Sequence, residues 1–243
     1  MALHLLPKSM LQALDLLPNA STPVTLFTRH SLRELVNGQG FAGYDLQLTE
    51  QGRELAYTWG EYLIKNTDRA IQHCISSPIQ RCVDTAALMI EGADAVHQSV
   101  NTHQIEIVEH RLLVEPGSFV LDIQQAAPFF RKQGALGFIN SFVNNALPGM
   151  KHPITGVRDV LELLYQTHPT QQKGLSLAES HDTILAAIVA LISDHNQIQQ
   201  TDWPEMMEGL FVWFEGEDFA NSKLKWIWRG QTAELIIQDF QYK

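Results

Sequence analysis

Arg29, His30 and Arg33 stand together directly after a short apolar run, Val24 to Phe27. Two guanidiniums offer forked donors to an anion, and an imidazole among them is a nucleophile or a base. Further along, Arg81 follows Ser77-Pro78, and His181-Asp182 follows the run Gly174 to Ser180. The inventory is three arginines, two histidines and one carboxylate. Phosphoryl transfer asks for cations on the equatorial oxygens and a nucleophile held in line.

These residues lie far apart in sequence, so regular elements must bring them together. Val24 to Phe27 reads as a buried strand punctuated by Pro23. The glycine-rich stretch Glu34 to Tyr44 reads as a loop. Thr49 is an N-cap candidate for a helix buried through Leu55, Trp59, Tyr62 and Leu63. Ile71 to Ser76 is a second strand. Ser77-Pro78 then opens a helix with Arg81 in its first turn. An arginine there opposes the helix dipole, which points to an anion nearby. Ile105 to Val108 and Gly174 to Ser180 are further strands, and Thr183 to Ile192 is an apolar helix. Leu210 to Glu215, Lys223 to Arg229 and Glu234 to Gln238 are strands, the last two joined as a hairpin near Gly230. Strands that alternate with helices and then pair up predict an α/β three-layer sandwich. Its sheet is mostly parallel with an antiparallel edge, and helices cover both faces. In such a sheet the strand ends carrying Arg29-His30, Arg81 and His181-Asp182 meet at one edge.

The 243 residues fit a single domain. Residues 116–170 read as a helical cap insertion within it, marked by Phe138, Phe142, Val157 and Leu161 and punctuated by Pro148 and Pro153. Leu11, Leu14 and Leu17 suit a short N-terminal helix on the core, and no signal peptide is read there. The formal net charge of −10 argues against nucleic acid or an anionic membrane as partner. No run of apolar residues is long enough to span a bilayer. Two cysteines, Cys74 and Cys82, imply no disulfide framework and fit a reducing cytoplasm. Histidines other than His30 and His181 show no metal-ligand spacing, and no phosphate loop of the Walker type is present. No metal or organic cofactor is expected.

The motifs also carry a family resemblance. Thr28-Arg29-His30-Ser31-Leu32-Arg33 resembles the Arg-His-Gly-x-Arg signature of the histidine phosphatase superfamily. Leu48-Thr49-x-x-Gly52 is similar to its first helix, and Ser76-Ser77-Pro78-x-x-Arg81-Cys82 to its second arginine motif. Ser180-His181-Asp182-Thr183, with Trp203-Pro204 beyond it, resembles the acid-phosphatase branch, which carries a His-Asp motif. The resemblance implies that His30 is a nucleophile forming a phosphohistidine. It implies a phosphate pocket of Arg29, Arg33, Arg81 and His181, with Asp182 as general acid. Ser31 departs from the family's glycine, and Glu115 lies where the mutase-like branch often places its acid. The implied activity is metal-independent hydrolysis of a small phosphomonoester. A phosphomutase using the same nucleophile is one alternative. A phosphate-binding protein weakened by Ser31 is the other. The natural substrate and the oligomeric state are not legible.

Overall fold

The computed structural model of the protein describes residues 2–34, 43–96, 105–115 and 117–241. Most of the loop expected over 34–44 and the first residue of the insertion, Pro116, lie outside the described residues. Seven strands form one sheet: β1 (Val24–Arg29), β2 (Ala70–Ser76), β3 (Ile107–Glu109), β4 (Gly174–Ser180), β5 (Gly209–Glu215), β6 (Lys223–Trp228) and β7 (Gln231–Ile236). Their order is β3-β2-β4-β1-β5-β6-β7. The first four in that order are parallel, and β5, β6 and β7 add on antiparallel. The chain thus has the α/β architecture expected of it, with parallel strands at the centre.

Two apolar layers flank the sheet. Leu26 points to one, beneath α1 (Lys8–Leu14), α2 (Glu50–Thr67) and α3 (Gln80–Val96). Phe27, the next residue, points to the other, beneath α4 (Ile123–Val143), α5 (Pro153–Gln166) and α6 (Asp182–Ile192). This is the period-2 alternation of a strand buried on both faces. Helix α4 is broken at Gly134, whose φ of 68° no helix tolerates. Residues of the 116–170 segment, among them Phe119, Phe138, Phe142 and Leu161, are fully buried in the second layer. The segment therefore supplies most of one face of the sandwich, whatever it does over the site. No helix among the described residues is long and apolar enough to cross a membrane.

Several strand boundaries differ from the sequence reading, those of β3 and β7 by the most. Strand β3 begins at Ile107, because it pairs with β2 only along Cys74–Ser76. Strand β7 begins at Gln231 because Arg229 and Gly230 form a two-residue turn with φ of 46° and 74°. Two successive positive φ values match the twist of a tight hairpin and set Gln231 opposite Trp228. The polar Gln231-Thr232-Ala233 is strand by pairing, not by hydrophobicity.

Candidate active site

The carboxyl ends of β1, β2 and β4 converge at one edge of the sheet. Arg29 closes β1, with His30 directly after it. Arg81 lies in the first turn of α3, and His181 caps α6, whose first residue is Asp182. Ser31 donates its N–H to the Thr85 hydroxyl of α3, at 3.0 Å, and its own hydroxyl to the Gly52 carbonyl of α2, at 2.7 Å. Helices and strand are thereby tied together beside the nucleophile candidate. The serine side chain points into the α2 N-terminus, and the backbone at Ser31 does not need the left-handed region.

His30 is buried, with 2% exposure. Its Nδ1 lies 2.8 Å from the Ser31 carbonyl, which can only accept. The ring therefore carries its proton on Nδ1 and keeps a lone pair on Nε2. Arg81 Nε donates to that Nε2 at 3.1 Å. Burial first, then the charges of Arg29, His181 and Arg81, hold His30 well below the ordinary imidazole range, so the ring is neutral. His181 stands edge-on to it, with ring centroids 5.6 Å apart. Burial and Arg81 push the His181 pKa down to about 3. Its Nε2 meets the Ser77 hydroxyl at 3.0 Å, and its Nδ1 faces Glu115 Oε2 at 3.6 Å. With His181 neutral, that last contact is not an ion pair.

The three arginines are held differently. Arg29 forms an ion pair of 2.7 Å with Asp182 and donates to the Pro204 carbonyl at 2.6 Å. Arg81 also donates to the Gly43 carbonyl, and Arg33 to that of Glu34. Burial, Arg29 and Arg81 lower the Arg33 pKa, while Asp182 and Glu115 oppose them, so all five groups share one field. The Nε atoms of Arg29 and Arg33 are buried with no protein acceptor among the described residues. Donors so placed are set for an incoming anion.

The two carboxyls separate. Burial works to raise Asp182, but Arg29, the hydrogen-bonding Trp203 side chain, His181 and the Thr183 N–H together hold it below the ordinary carboxylate range. Glu115 is pushed up to about 8 by burial and by the charge of Asp182. Asp182, the expected proton donor, is thus ionised by its partners, whereas Glu115, the expected alternative, keeps a proton at neutral pH. Sequence could place Glu115 only as an alternative, because its proton depends on the burial the fold imposes. The Pro204 carbonyl, which anchors Arg29, is a backbone contact with no sequence signal of its own.

A family model described as histidine phosphatase superfamily (branch 1) matches residues 25–107, the part of the chain with Arg29, His30, Arg33 and Arg81. The match covers about a third of the chain and bears out the family resemblance over that part. The matching model is described as branch 1 and ends before His181-Asp182, the motif that resembles the acid-phosphatase branch. Among solved structures of similar fold is a mycobacterial glucosyl-3-phosphoglycerate phosphatase, 17% identical over 85% of this chain and 98% of its own, with a TM-score of 0.54. A phosphoglycerate mutase from Bacillus anthracis is 15% identical over 91% of this chain and 96% of its own, with a TM-score of 0.51. A mutant phosphoserine phosphatase from Entamoeba histolytica, in complex with phosphoserine, is 14% identical over 90% and 98%, with a TM-score of 0.52. At such identities these likenesses show a shared fold alone. No curated protein matches the sequence.

Proposed function

We propose that the protein is a phosphatase that hydrolyses a small phosphomonoester through a phosphohistidine on His30. The observation that carries this reading is the charge state of the pocket. Three guanidiniums face one ionised carboxylate, while both histidines are neutral and Glu115 is protonated. An excess of two positive charges matches a phosphate dianion, within a chain whose net charge is −10.

In the first step His30 Nε2 attacks phosphorus and the bond to the leaving oxygen breaks. Glu115 delivers its proton to that oxygen. In the second step water attacks phosphorus, the N–P bond breaks, and Glu115 takes up the water proton. Arg29, Arg33 and Arg81 hold the phosphoryl oxygens. The Ser77 hydroxyl accepts from the Ile79 N–H and pairs with His181 Nε2; in the tautomer where it donates, His181 Nδ1–H faces the pocket as a further donor. Asp182 holds Arg29 in place. The weakened-binder alternative loses its motive, since the Ser31 hydroxyl is engaged by Gly52, away from the pocket. Buried free thiols at Cys74 and Cys82 support a reducing, cytoplasmic setting.

The test is hydrolysis of p-nitrophenyl phosphate and of an alkyl phosphate, with and without chelator, followed by denaturation and phosphorus NMR of the trapped enzyme. Wild type should turn over both substrates and carry acid-labile phosphate. His30→Ala should lose both properties. Glu115→Gln should lose on the order of 10² to 10⁴ in rate on the alkyl ester and far less on p-nitrophenyl phosphate, whose leaving group needs no proton. Turnover that survives His30→Ala would overturn the reading.

A further inference from the structure

The antiparallel strands lie outside the edge where the parallel strands end, yet their hairpin turn reaches back to the loop beside Arg29. Arg229, the first residue of that turn, spends all three guanidinium nitrogens on one segment. Its Nε and one terminal nitrogen fork onto the two carboxylate oxygens of Glu208, each at 2.8 Å. The same terminal nitrogen reaches the Trp203 carbonyl at 3.1 Å, and the other the Thr201 carbonyl at 2.6 Å. Glu208 is buried and also accepts from the Glu205 N–H and the Ser9 hydroxyl. Residues 201–208 are thus cinched into one loop.

That loop grips the end of β1. The Glu208 carbonyl accepts from the Arg29 N–H at 3.0 Å and from the Thr28 hydroxyl at 2.9 Å. The Met207 N–H donates to the His30 carbonyl at 3.3 Å. The Pro204 carbonyl holds the Arg29 guanidinium, and the Trp203 side chain hydrogen-bonds Asp182. Backbone conformation adds an independent sign. Arg229 has φ of 46° and Met207 φ of 64°. The first position of such a turn favours Asn, Asp or Gly, so an arginine there bears a cost. The fork onto Glu208 gives that cost a purpose.

We infer that the Glu208–Arg229 pair is a positioning device for the phosphate clamp: it fixes the 201–208 loop so that Pro204 and Trp203 hold Arg29 and Asp182 in register. The inference rests on the phosphatase reading for its catalytic meaning. Arg229 and Glu208 are positioning residues, because they act through the loop and make no contact with the reacting groups.

The experiment compares Arg229→Gln, Arg229→Lys and Glu208→Gln with Arg158→Gln. Arg158 serves as control because it tethers the Ile237 and Phe240 carbonyls elsewhere in the fold. Three quantities are read: the Trp203 indole N–H resonance, assigned with Trp203→Phe; the affinity for inorganic phosphate by calorimetry; and kcat and KM on p-nitrophenyl phosphate. The Arg229 and Glu208 variants should shift the indole resonance and weaken phosphate about tenfold, with KM changing more than kcat. Lysine keeps the charge and the fold but cannot fork, so Arg229→Lys should behave like Arg229→Gln. Arg229→Gln combined with Arg29→Lys should lose less phosphate affinity than the two losses added. Arg158→Gln should lower Tm while leaving indole and phosphate unchanged. An unmoved indole and unchanged phosphate affinity in the Arg229 and Glu208 variants would overturn the inference, as would an Arg158→Gln that matches them. If wild type hydrolyses no phosphomonoester while the indole still moves in Arg229→Gln, the phosphatase reading falls and the positioning role stands.

Discussion

Glu115 and Asp182 face the same histidine, yet their surroundings assign them opposite proton states. Asp182 is 2.7 Å from a guanidinium, while Glu115 lies 3.6 Å from the neutral His181. A general acid must be protonated when substrate binds. As pH rises through about 8, Glu115 loses its proton and kcat/KM for an alkyl phosphate should fall. Glu115→Gln should abolish that alkaline limb, whereas Asp182→Asn should keep a limb, moved to lower pH, and raise KM by freeing Arg29. The pH–rate profiles of the three proteins check this directly, and an alkaline limb that survives Glu115→Gln would remove the assignment. Residue types alone named both acids but could not set their proton states, because those depend on which acid the fold sets against Arg29. Ser31 is simpler. Ser31→Gly should leave kcat/KM within about twofold and cost about 1 kcal/mol of stability, the value of its bond to Gly52. Chemical denaturation and steady-state kinetics check the two halves.

Elements with a strong internal pattern were legible from sequence, and those defined by partners were not. The strand Gly174–Ser180 has the bounds its sequence suggested, since all seven residues are buried between two helical layers. Strand β7 was misplaced because pairing with β6, set by the Arg229-Gly230 turn, decides where it starts. Likewise, the three site arginines were visible as motif residues, while Glu208 and Arg229 carry no local mark and gain meaning only when the hairpin folds against the loop. Close packing of α2 on α3 was also hidden. A Cβ at Gly92 would lie 2.0 Å from the Tyr57 carbonyl oxygen, and one at Gly60 would lie 2.0 Å from that of Met89. Both clashes are with backbone, so the helices must separate to admit a methyl. Gly92→Ala should therefore cost about 1–3 kcal/mol. It should also weaken phosphate binding, because α3 carries Arg81. Urea unfolding beside phosphate titration reads both effects. An alanine variant as stable as wild type would show that the helices do not pack this closely.

Across the whole molecule, burial of titratable groups sets how stability follows pH. His30, His168 and His181 are all held below the ordinary imidazole value, with His168 at about 4 and His181 at about 3, chiefly by burial. Unfolding lets them take up protons below about pH 6.5, so stability is lost as pH falls through that range. Glu115 and Glu179 are shifted the other way. Glu179 lies in β4 with no exposure and no hydrogen-bond partner for either oxygen among the described residues, and burial raises it well above the carboxylate range. Unfolding lets both acids release protons above about pH 4.5, so stability is lost as pH rises until the folded-state pKa is reached. Between these limits the three histidines outweigh the two acids below the imidazole pKa, and only the acids act above it. Stability should peak near pH 6 and decline toward pH 8, at a slope approaching 1.4 kcal/mol per pH unit for each proton released. Glu179→Gln isolates one of the two acids. It fills the same space with a neutral amide, so it should match wild type at pH 5 and exceed it increasingly toward pH 8. Denaturant midpoints for both proteins from pH 5 to pH 8 measure the difference. Parallel curves would mean that Glu179 carries no proton that unfolding releases.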